Sequence, residues 1–382
     1  MTTVLVGTNK GAFVLRAGTA GWTASGPHCE GWTINHVIGE PGGQRLWAAG
    51  GGEWFGAGVW RSTDGGETWH LAKLADGQID EWGRRDPEFA RFMNYTDQGP
   101  APFAGVKAIW SLGRAGERLL AGGNPAALYA SDDGGESWAE LPGLTAHPSR
   151  DSWEPGAAGL VLHSIVADPD DPARLWVGIS AAGVFASEDG GASWERRNRV
   201  SNEGGAAHDH AHQHPAAGDG HETGHCVHKI VRAPSGAGDV MWQQNHHGVY
   251  RSADGGRSWS HRTEGLPSTF GFPIAVHPAD PDTAWVLPLN GDTQGRYPPG
   301  ASAAVWKTTD GGITWARKGD GLPQSGCFFT VLRQSMAVSG RQGATVLAFG
   351  TNTGSVFLST DEGETWDEIA RHLPLILSVE LA

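Results

Sequence analysis

The sequence predicts an all-β fold, a seven-bladed β-propeller, and three observations lead to this prediction. An octapeptide of the form Ser/Thr-x-Asp-x-Gly-x-Ser/Thr-Trp occurs six times along the chain. Around each copy the chain reads as four short strands, which is the size of one propeller blade. The two ends of the chain together supply four more strands, enough for a seventh blade that joins both ends.

Composition supports a turn-rich globular protein with a large core. The chain has 382 residues, of which 58 are glycine and 18 are tryptophan. The formal net charge is -14 and no run of basic residues exceeds two, so the electrostatic footprint of a protein that binds nucleic acid or anionic membrane is missing. No apolar stretch reaches the ~18 residues of a membrane span. The N-terminus carries no secretion signal, so we expect a cytoplasmic protein.

The number and spacing of the cysteines do not predict a disulfide framework. Cys29, Cys226 and Cys327 are far apart and include no Cys-x-x-Cys pair, which excludes a disulfide scaffold. Of the three, Cys226 stands beside histidines, but as a nucleophile on its own it has little support. We interpret it as a small buried thiol.

The repeated octapeptide has the chemistry of a turn. In the copy at residues 252–259, SADGGRSW, the Ser hydroxyl and the Asp carboxylate can accept backbone N–H groups, and the glycines can adopt positive φ. The Trp then begins the next strand and covers the turn. Six copies on one chain indicate a folding element and not six active sites. The central acids, 69, 56, 65, 56 and 51 residues apart, are Asp64, Asp133, Asp189, Asp254, Asp310 and Asp361.

These octapeptides resemble the Asp-box, or BNR, repeat. Members of that family are β-propellers and include sialidases, xyloglucanases, sortilin-type receptors and photosystem II assembly factors of the Ycf48 kind. The resemblance implies that each box lies in the turn between the third and fourth strand of a blade, away from the ligand face. It therefore implies the fold and leaves the activity open.

The blades can be counted along the chain. The blade around Asp189 reads LVLHSIVADP, RLWVGIS, GVFAS and SWERR, and six such blades run from about residue 34 to 370. Residues 3–22 supply the second, third and fourth strands of a seventh blade, with Trp22 where a box Trp would stand. Residues 375–380 supply its first strand. We predict one seven-bladed propeller over residues 1–382, closed by three N-terminal strands and one C-terminal strand, with a His-rich loop insertion at 200–224.

Loop lengths predict which face binds a ligand. The connections from first to second strand are short, whereas the long connections all fall on the face opposite the boxes. Long loops on a rigid scaffold are the usual seat of binding. On that face the inner strands begin and the second strands end, and several polar residues meet near the axis. As ligand-binding residues this predicts His36, Glu53, Trp54 and Asn245.

Histidines at this face suggest a metal site. His163 and His228 occupy equivalent positions in adjacent blades, LHSIV against VHKIV, and His246 lies one strand further along. Neutral imidazole is a common ligand of divalent metals. The predicted ligands of one divalent metal ion are His163, His228, His246, Gln244 and His225. The arrangement is similar in site type to that of oligogalacturonate lyases. A hydrogen-bonded pore lining without metal is the other interpretation.

A metal at this position would make the protein a lyase or hydrolase acting on a saccharide or another small polar molecule. In that hypothesis Lys107 and Arg333 serve as base or anion partner. A sialidase is disfavoured because no FRIP motif occurs and only Arg333 stands at the start of an inner strand. A glycoside hydrolase-like mechanism would need two opposed carboxylates, and spacing singles out no pair.

A non-enzymatic alternative remains from the same sequence. A binding or assembly-factor propeller of the Ycf48 kind would use exposed aromatics on the rim, such as Trp54, Phe55 and Trp82. The tract at residues 208–228 holds seven of the 17 histidines. Its first part, residues 208–214, is more typical of a loop with adventitious metal affinity than of a designed site.

Overall fold

The chain forms seven four-stranded antiparallel sheets packed around a central axis. The computed structural model describes residues 2–200, 222–233, 239–340 and 344–382. The predicted His-rich insertion at 200–224 falls almost entirely outside the described residues. Within the described part, no helix is long and apolar enough to cross a membrane.

In six blades the strands follow chain order from the axis outward, and in blade 1 the last strand of the chain is innermost. Blade 1 consists of β1 (Thr3–Thr8), β2 (Gly11–Gly18), β3 (Gly21–His28) and, innermost, β28 (Ile376–Leu381). Blade 2 consists of β4 (Ile34–Gly39), β5 (Leu46–Gly52), β6 (Gly56–Ser62) and β7 (His70–Ala75). Blade 3 consists of β8 (Ala108–Ala115), β9 (Arg118–Asn124), β10 (Leu128–Ser131) and β11 (Ala139–Glu140). Blade 4 consists of β12 (Val161–Ala167), β13 (Leu175–Ser180), β14 (Gly183–Ser187) and β15 (Glu195–Arg196). Blade 5 consists of β16 (Val227–Arg232), β17 (Met241–Asn245), β18 (Gly248–Ser252) and β19 (Ser260–His261). Blade 6 consists of β20 (Gly271–Val276), β21 (Ala284–Pro288), β22 (Val305–Thr308) and β23 (Ala316–Lys318). Blade 7 consists of β24 (Met336–Ser339), β25 (Val346–Gly350), β26 (Val356–Ser359) and β27 (Asp367–Ala370).

The two ends of the chain close the ring as predicted. β28 pairs antiparallel with β1, with Val4 opposite Leu381 and Val6 opposite Val379. All four side chains are buried. Because β28 is the innermost strand of a blade whose other strands come from the N-terminus, closure pairs the inner edge of β1 and joins both ends of the chain in one sheet.

The Asp-boxes are hydrogen-bonded turns. Ser62 donates its hydroxyl to Asp64 at 2.8 Å and accepts the Gly66 N–H at 2.8 Å. Asp64 also accepts the backbone N–H of Thr68 at 2.9 Å and its hydroxyl at 2.6 Å, and these bonds hold the pKa of Asp64 well below its usual range. The same four bonds recur around Asp133, Asp189, Asp254, Asp310 and Asp361. The turn interpretation is confirmed in every copy.

The box turns lie beside the connections from first to second strand. Gly65 in the first box donates its N–H to the Gln44 carbonyl at 2.9 Å, and Gly190 does the same to Ala173 at 2.9 Å. Both acceptors belong to the short connections between inner and second strands. The other face therefore carries the remaining connections, which include α1 (Gln78–Arg85), α2 (Pro87–Phe92) and α3 (Pro142–Thr145).

Tryptophans on the second strands tie neighbouring blades together. Trp176 of blade 4 is fully buried and donates its indole N–H to the Gly255 carbonyl in the box of blade 5 at 2.8 Å. Trp285 of blade 6 donates in the same way to Glu362 in the box of blade 7 at 3.0 Å. A buried indole needs an acceptor, and the box turn of the next blade provides it.

Candidate functional site

Bulges in the inner strands decide where the predicted histidines point. In the pairing of β12 with β13 the register shifts between Leu162 and Ser164, which leaves His163 in a bulge. In β16 the shift between Val227 and Lys229 leaves His228 in the equivalent bulge of the next blade. A bulge releases one residue from the ladder and re-aims its side chain.

The bulge residue can bond to the next blade. In blade 2, Asn35 stands in the bulge and donates its amide to the Ile109 carbonyl of blade 3 at 2.9 Å. His228 makes the corresponding contact, because its Nδ1 lies 2.6 Å from the Gly271 carbonyl of blade 6. A carbonyl only accepts, so Nδ1 carries the proton and Nε2 keeps its lone pair. His228 is thus fixed in the tautomer that a metal would require.

Three atoms that could bind a metal ion lie close together at His228. Cys226 immediately precedes β16 and His246 immediately follows β17, and the His246 N–H donates to the Cys226 carbonyl at 3.0 Å. The Sγ of Cys226 lies 3.7 Å from Nε2 of His228. One ligand atom from each of Cys226, His228 and His246 lies within 4.8 Å of the other two. We call these three residues the Cys-His-His cluster; it lies on the face opposite the boxes.

The cluster is enclosed by aromatic rings and one carboxylate. Phe272 and Phe270 pack against the His228 ring at 4.7 and 5.2 Å between ring centroids. Asp292 places a carboxylate oxygen 3.5 Å from Nε2 of His246. Burial lowers the pKa of His228 well below its usual value and raises the pKa of the Cys226 thiol. The imidazole is therefore neutral, which is the form that binds metal.

Two guanidinium groups complete this side of the channel. Arg296 forms a salt bridge with Asp292 at 2.6 Å and lies over the Phe272 ring at 5.8 Å. Arg333 lies over the same ring at 5.6 Å and forms no salt bridge with any residue that the structure describes. Its Nη1 is buried and has no hydrogen-bond partner among those residues. Burial lowers the pKa of Arg333 to about 10.

His163 is not one of the three residues whose ligand atoms meet in the cluster. Its side chain is fully buried, with Nδ1 2.9 Å from the Ser164 hydroxyl. A Cβ on Gly178 would lie 3.0 Å from the ring, so the imidazole packs on the backbone of β13. Burial, followed by the charge of Arg333, holds its pKa well below the usual value. The structure brings together His228 and His246 but not His163, and the metal role of His163 stays a prediction.

Two further predicted metal ligands, Gln244 and His225, and the predicted ligand-binding residue Asn245 hydrogen-bond to neighbouring groups. Gln244 donates its amide to the carbonyls of Asn245 and Thr269 at 2.9 and 3.1 Å. Asn245 donates its own amide to the Gly224 carbonyl. His225 lies 2.8 Å from the Glu222 carboxylate. These three side chains fix the loop around the cluster.

The remaining predicted residues come from blades 2 and 3, whereas the cluster comes from blade 5. His36 accepts the Leu112 N–H on Nδ1 at 2.9 Å, and burial lowers its pKa to about 3. Lys107 and Glu53 are exposed. Trp54 packs edge-on against Trp82 at 5.4 Å, in the aromatic surface of the helical insertion. Their roles in ligand binding stay predictions.

Two side chains cross the central channel. Gln334 of blade 7 donates its amide to the His163 carbonyl of blade 4, and Lys229 of blade 5 donates to the Met336 carbonyl of blade 7 at 2.9 Å. On the box side of this crossing lies a cavity of about 530 Å³, lined in part by His36 and Glu380. The cavity and the Cys-His-His cluster therefore occupy opposite ends of the channel.

Sequence reasoning missed two members of this site. Cys226 was interpreted only as a buried thiol, although the Cys-x-His spacing of Cys226 and His228 around a strand start was a usable signal. Arg296 lies in the irregular connection between β21 and β22, where no periodicity indicates the direction of a side chain.

A family model described as BNR/Asp-box repeat matches residues 60–71, the first box with the end of its preceding strand. The other five boxes have the same hydrogen bonds. The chain is an Asp-box repeat β-propeller. A search of curated protein sequences gives no match for it.

Solved structures agree with this fold. A GH74 xyloglucanase from Xanthomonas campestris superposes with a TM-score of 0.61 at 17% identity, covering 97% of this Asp-box propeller and 53% of that chain. An ancestral GH74 enzyme gives a TM-score of 0.55 at 15% identity, covering 91% of this chain and 38% of that one. YCF48 bound to D1 peptide gives 0.50 at 16% identity, covering 88% and 84%. This chain thus spans about half or less of the GH74 chains, and at these identities the likeness shows the fold alone.

Proposed function

We propose that this Asp-box propeller is a metal-dependent lyase or hydrolase that acts on a small polar substrate. The observation that carries the proposal is the Cys-His-His cluster, whose three ligand atoms lie within 4.8 Å of one another at the mouth of the channel. Three protein ligands with a fourth position left for water or substrate are typical of catalytic zinc sites.

The donor set favours zinc among common divalent metals. One thiolate and two imidazoles suit a borderline-soft cation, whereas magnesium and calcium prefer oxygen ligands. Burial raises the pKa of the Cys226 thiol, and a bound cation would replace that proton. The metal would supply a Lewis acid and an activated water.

The surrounding residues suit such a centre. The Gly271 carbonyl holds the His228 ring, and the Asp292 carboxylate lies near His246, which are the two kinds of partner that usually orient metal-bound histidines. Phe270 and Phe272 shield one side of the cluster from water. Of the two predicted catalytic residues, Arg333 lies over Phe272 beside the cluster, and its guanidinium suits an anion partner better than a base. Lys107 remains a second candidate on blade 3.

Metal content tests the proposal directly. Protein without a His tag and with residues 206–221 deleted, so that those histidines cannot contribute, is dialysed against zinc and analysed by mass spectrometry. We expect about one zinc per chain in this protein and in a His70→Gln control, which changes an exposed histidine. Cys226→Ala with His246→Gln should lose it. Absence of stoichiometric metal from the parent protein would refute the proposal.

A non-enzymatic binding propeller is the second candidate, and one surface favours it. Trp54, Trp82 and Phe89 pack together at 5.4 to 6.2 Å between ring centroids, and Phe92 beside them is 85% exposed. The YCF48 structure holds a peptide, and an aromatic surface of this kind could bind one here. A Trp82→Ala variant that keeps its zinc but loses a peptide partner would support this candidate.

A further inference from the structure

Arg333 carries a charge that no described residue balances. Its Nη1 is buried without a hydrogen-bond partner, and none of the described acidic residues forms a salt bridge with it. The side chain as a whole is partly exposed, and a partly buried positive charge without a counterion is unfavourable. An unpaired guanidinium at the mouth of a channel is therefore suited to a charge supplied from outside.

The neighbouring charges do not remove this imbalance. Arg296 is already balanced by Asp292 at 2.6 Å. The contact of His246 with Asp292, at 3.5 Å between Nε2 and a carboxylate oxygen, does not include Arg333 either. The positive charge of Arg333 is the excess among the described groups around the cluster.

The geometry places this charge next to the proposed metal. Arg333 and Arg296 lie over the same Phe272 ring, at 5.6 and 5.8 Å from its centre. Phe272 in turn packs against the His228 ring at 4.7 Å. Arg333 and His228 therefore contact the same Phe272 ring, which places an anion held by Arg333 near the Cys-His-His cluster. A planar guanidinium can hold a carboxylate or a phosphate through two parallel hydrogen bonds.

We propose that the substrate is an anion, a small molecule or sugar whose carboxylate or phosphate group is held by Arg333 beside the reacting bond. This inference deepens the proposed function and rests on it for the metal. Arg333 positions the substrate.

A purely structural role for Arg333 makes a different prediction. If the side chain only packs on Phe272, Arg333→Gln should destabilise the free protein and leave any anion affinity unchanged. If Arg333 is an anion receptor, removing its unbalanced charge should leave the melting temperature of the free protein unchanged or raise it, and should abolish anion binding.

The experiment measures anion binding by calorimetry and by thermal shift on the full chain. The probes are inorganic phosphate and malonate, with sodium chloride at equal ionic strength as reference, and each is titrated with and without zinc. We expect one of the two anions to stabilise the wild type and to bind at least tenfold more weakly to Arg333→Gln. Arg371→Gln, which changes an exposed arginine paired with Glu368, should behave as wild type. The anion that binds identifies the charged group of the substrate.

The outcomes separate the two proposals. Zinc binding without any Arg333-dependent anion binding would overturn the anion receptor and leave the metal centre intact. Arg333-dependent anion binding in a protein that binds no zinc would support the receptor and overturn the metal centre. Equal affinity in wild type and Arg333→Gln, or unfolding of Arg333→Gln, would overturn the receptor.

Discussion

The backbone N–H of His246 donates to the carbonyl of Cys226 at 3.0 Å, so the residue before β16 and the residue after β17 lie opposite each other at one end of blade 5. Because this end faces away from the boxes, the hairpin delivers a thiol and an imidazole to the mouth of the channel. His228 joins them through its bulge, with Nε2 3.7 Å from the Cys226 sulfur.

Closure by β28 predicts that the C-terminal strand is essential for folding. Deleting residues 375–382 removes the buried side chains of Ile376, Val379 and Leu381 and leaves β1 with an open edge. Each such side chain contributes about 1.5–3 kcal/mol on burial, which together approaches the free energy of unfolding of a whole domain. We expect no cooperative thermal transition in the tryptophan fluorescence of the truncated protein. Leu375→Ser, at a partly exposed position, should melt like the wild type; a fully folded truncation would contradict the closure.

The Asp-boxes predict a contrast between two adjacent aspartates. Asp133 accepts bonds from Ser131 and Ser137, whereas Asp132 contacts only the exposed Arg118. Replacing Asp133 by Ala leaves buried or constrained donors unpaired and should lower the free energy of unfolding in urea by about 1–3 kcal/mol. Asp132→Ala should change it by less than about 1 kcal/mol. Equal effects of the two substitutions would show that the hydrogen bonds of the Asp-box do not stabilise the fold.

The buried His36 predicts a loss of stability in acid. Its pKa is about 3 in the folded protein, against 6.5 in the unfolded chain, so below pH 6.5 the unfolded state binds a proton that the folded state does not. Stability contributed by neutral His36 is complete above pH 6.5 and falls by up to ~1.4 kcal/mol per pH unit between 6.5 and 3. His36→Asn should reduce the slope of unfolding free energy against pH between 6 and 4. A variant with the slope of the wild type would contradict this assignment.

The channel crossing predicts a measurable role for Gln334. Its amide bonds the His163 carbonyl across the axis, so Gln334→Ala leaves that buried carbonyl unpaired. We expect a loss of about 1–3 kcal/mol in unfolding free energy, because an unsatisfied buried group bears its full desolvation penalty. Gln334→Glu should not restore the bond, since a carboxylate cannot donate to a carbonyl. Full stability in both variants would show that the crossing is not needed.

The fold was predictable and the site only in part, for a physical reason. The Asp-boxes fix the position of the third and fourth strands in six of the seven blades, so the blade count, the closure and the orientation of the two faces follow largely from repeated local chemistry. The equivalence of His163 and His228 was also visible. The direction of each ring was not, because it depends on inner-strand bulges and on contacts with the next blade, where His228 meets the Gly271 carbonyl and His163 packs on β13.

Cobalt substitution tests the proposed centre most directly. Cobalt(II) bound by a thiolate has a sulfur-to-metal charge-transfer band in the near ultraviolet, which histidines alone do not give. We predict this band at one cobalt per chain in protein with residues 206–221 deleted, and its loss in Cys226→Ser. A cobalt complex without a charge-transfer band, or an unchanged band in Cys226→Ser, would contradict a metal centre at Cys226, His228 and His246.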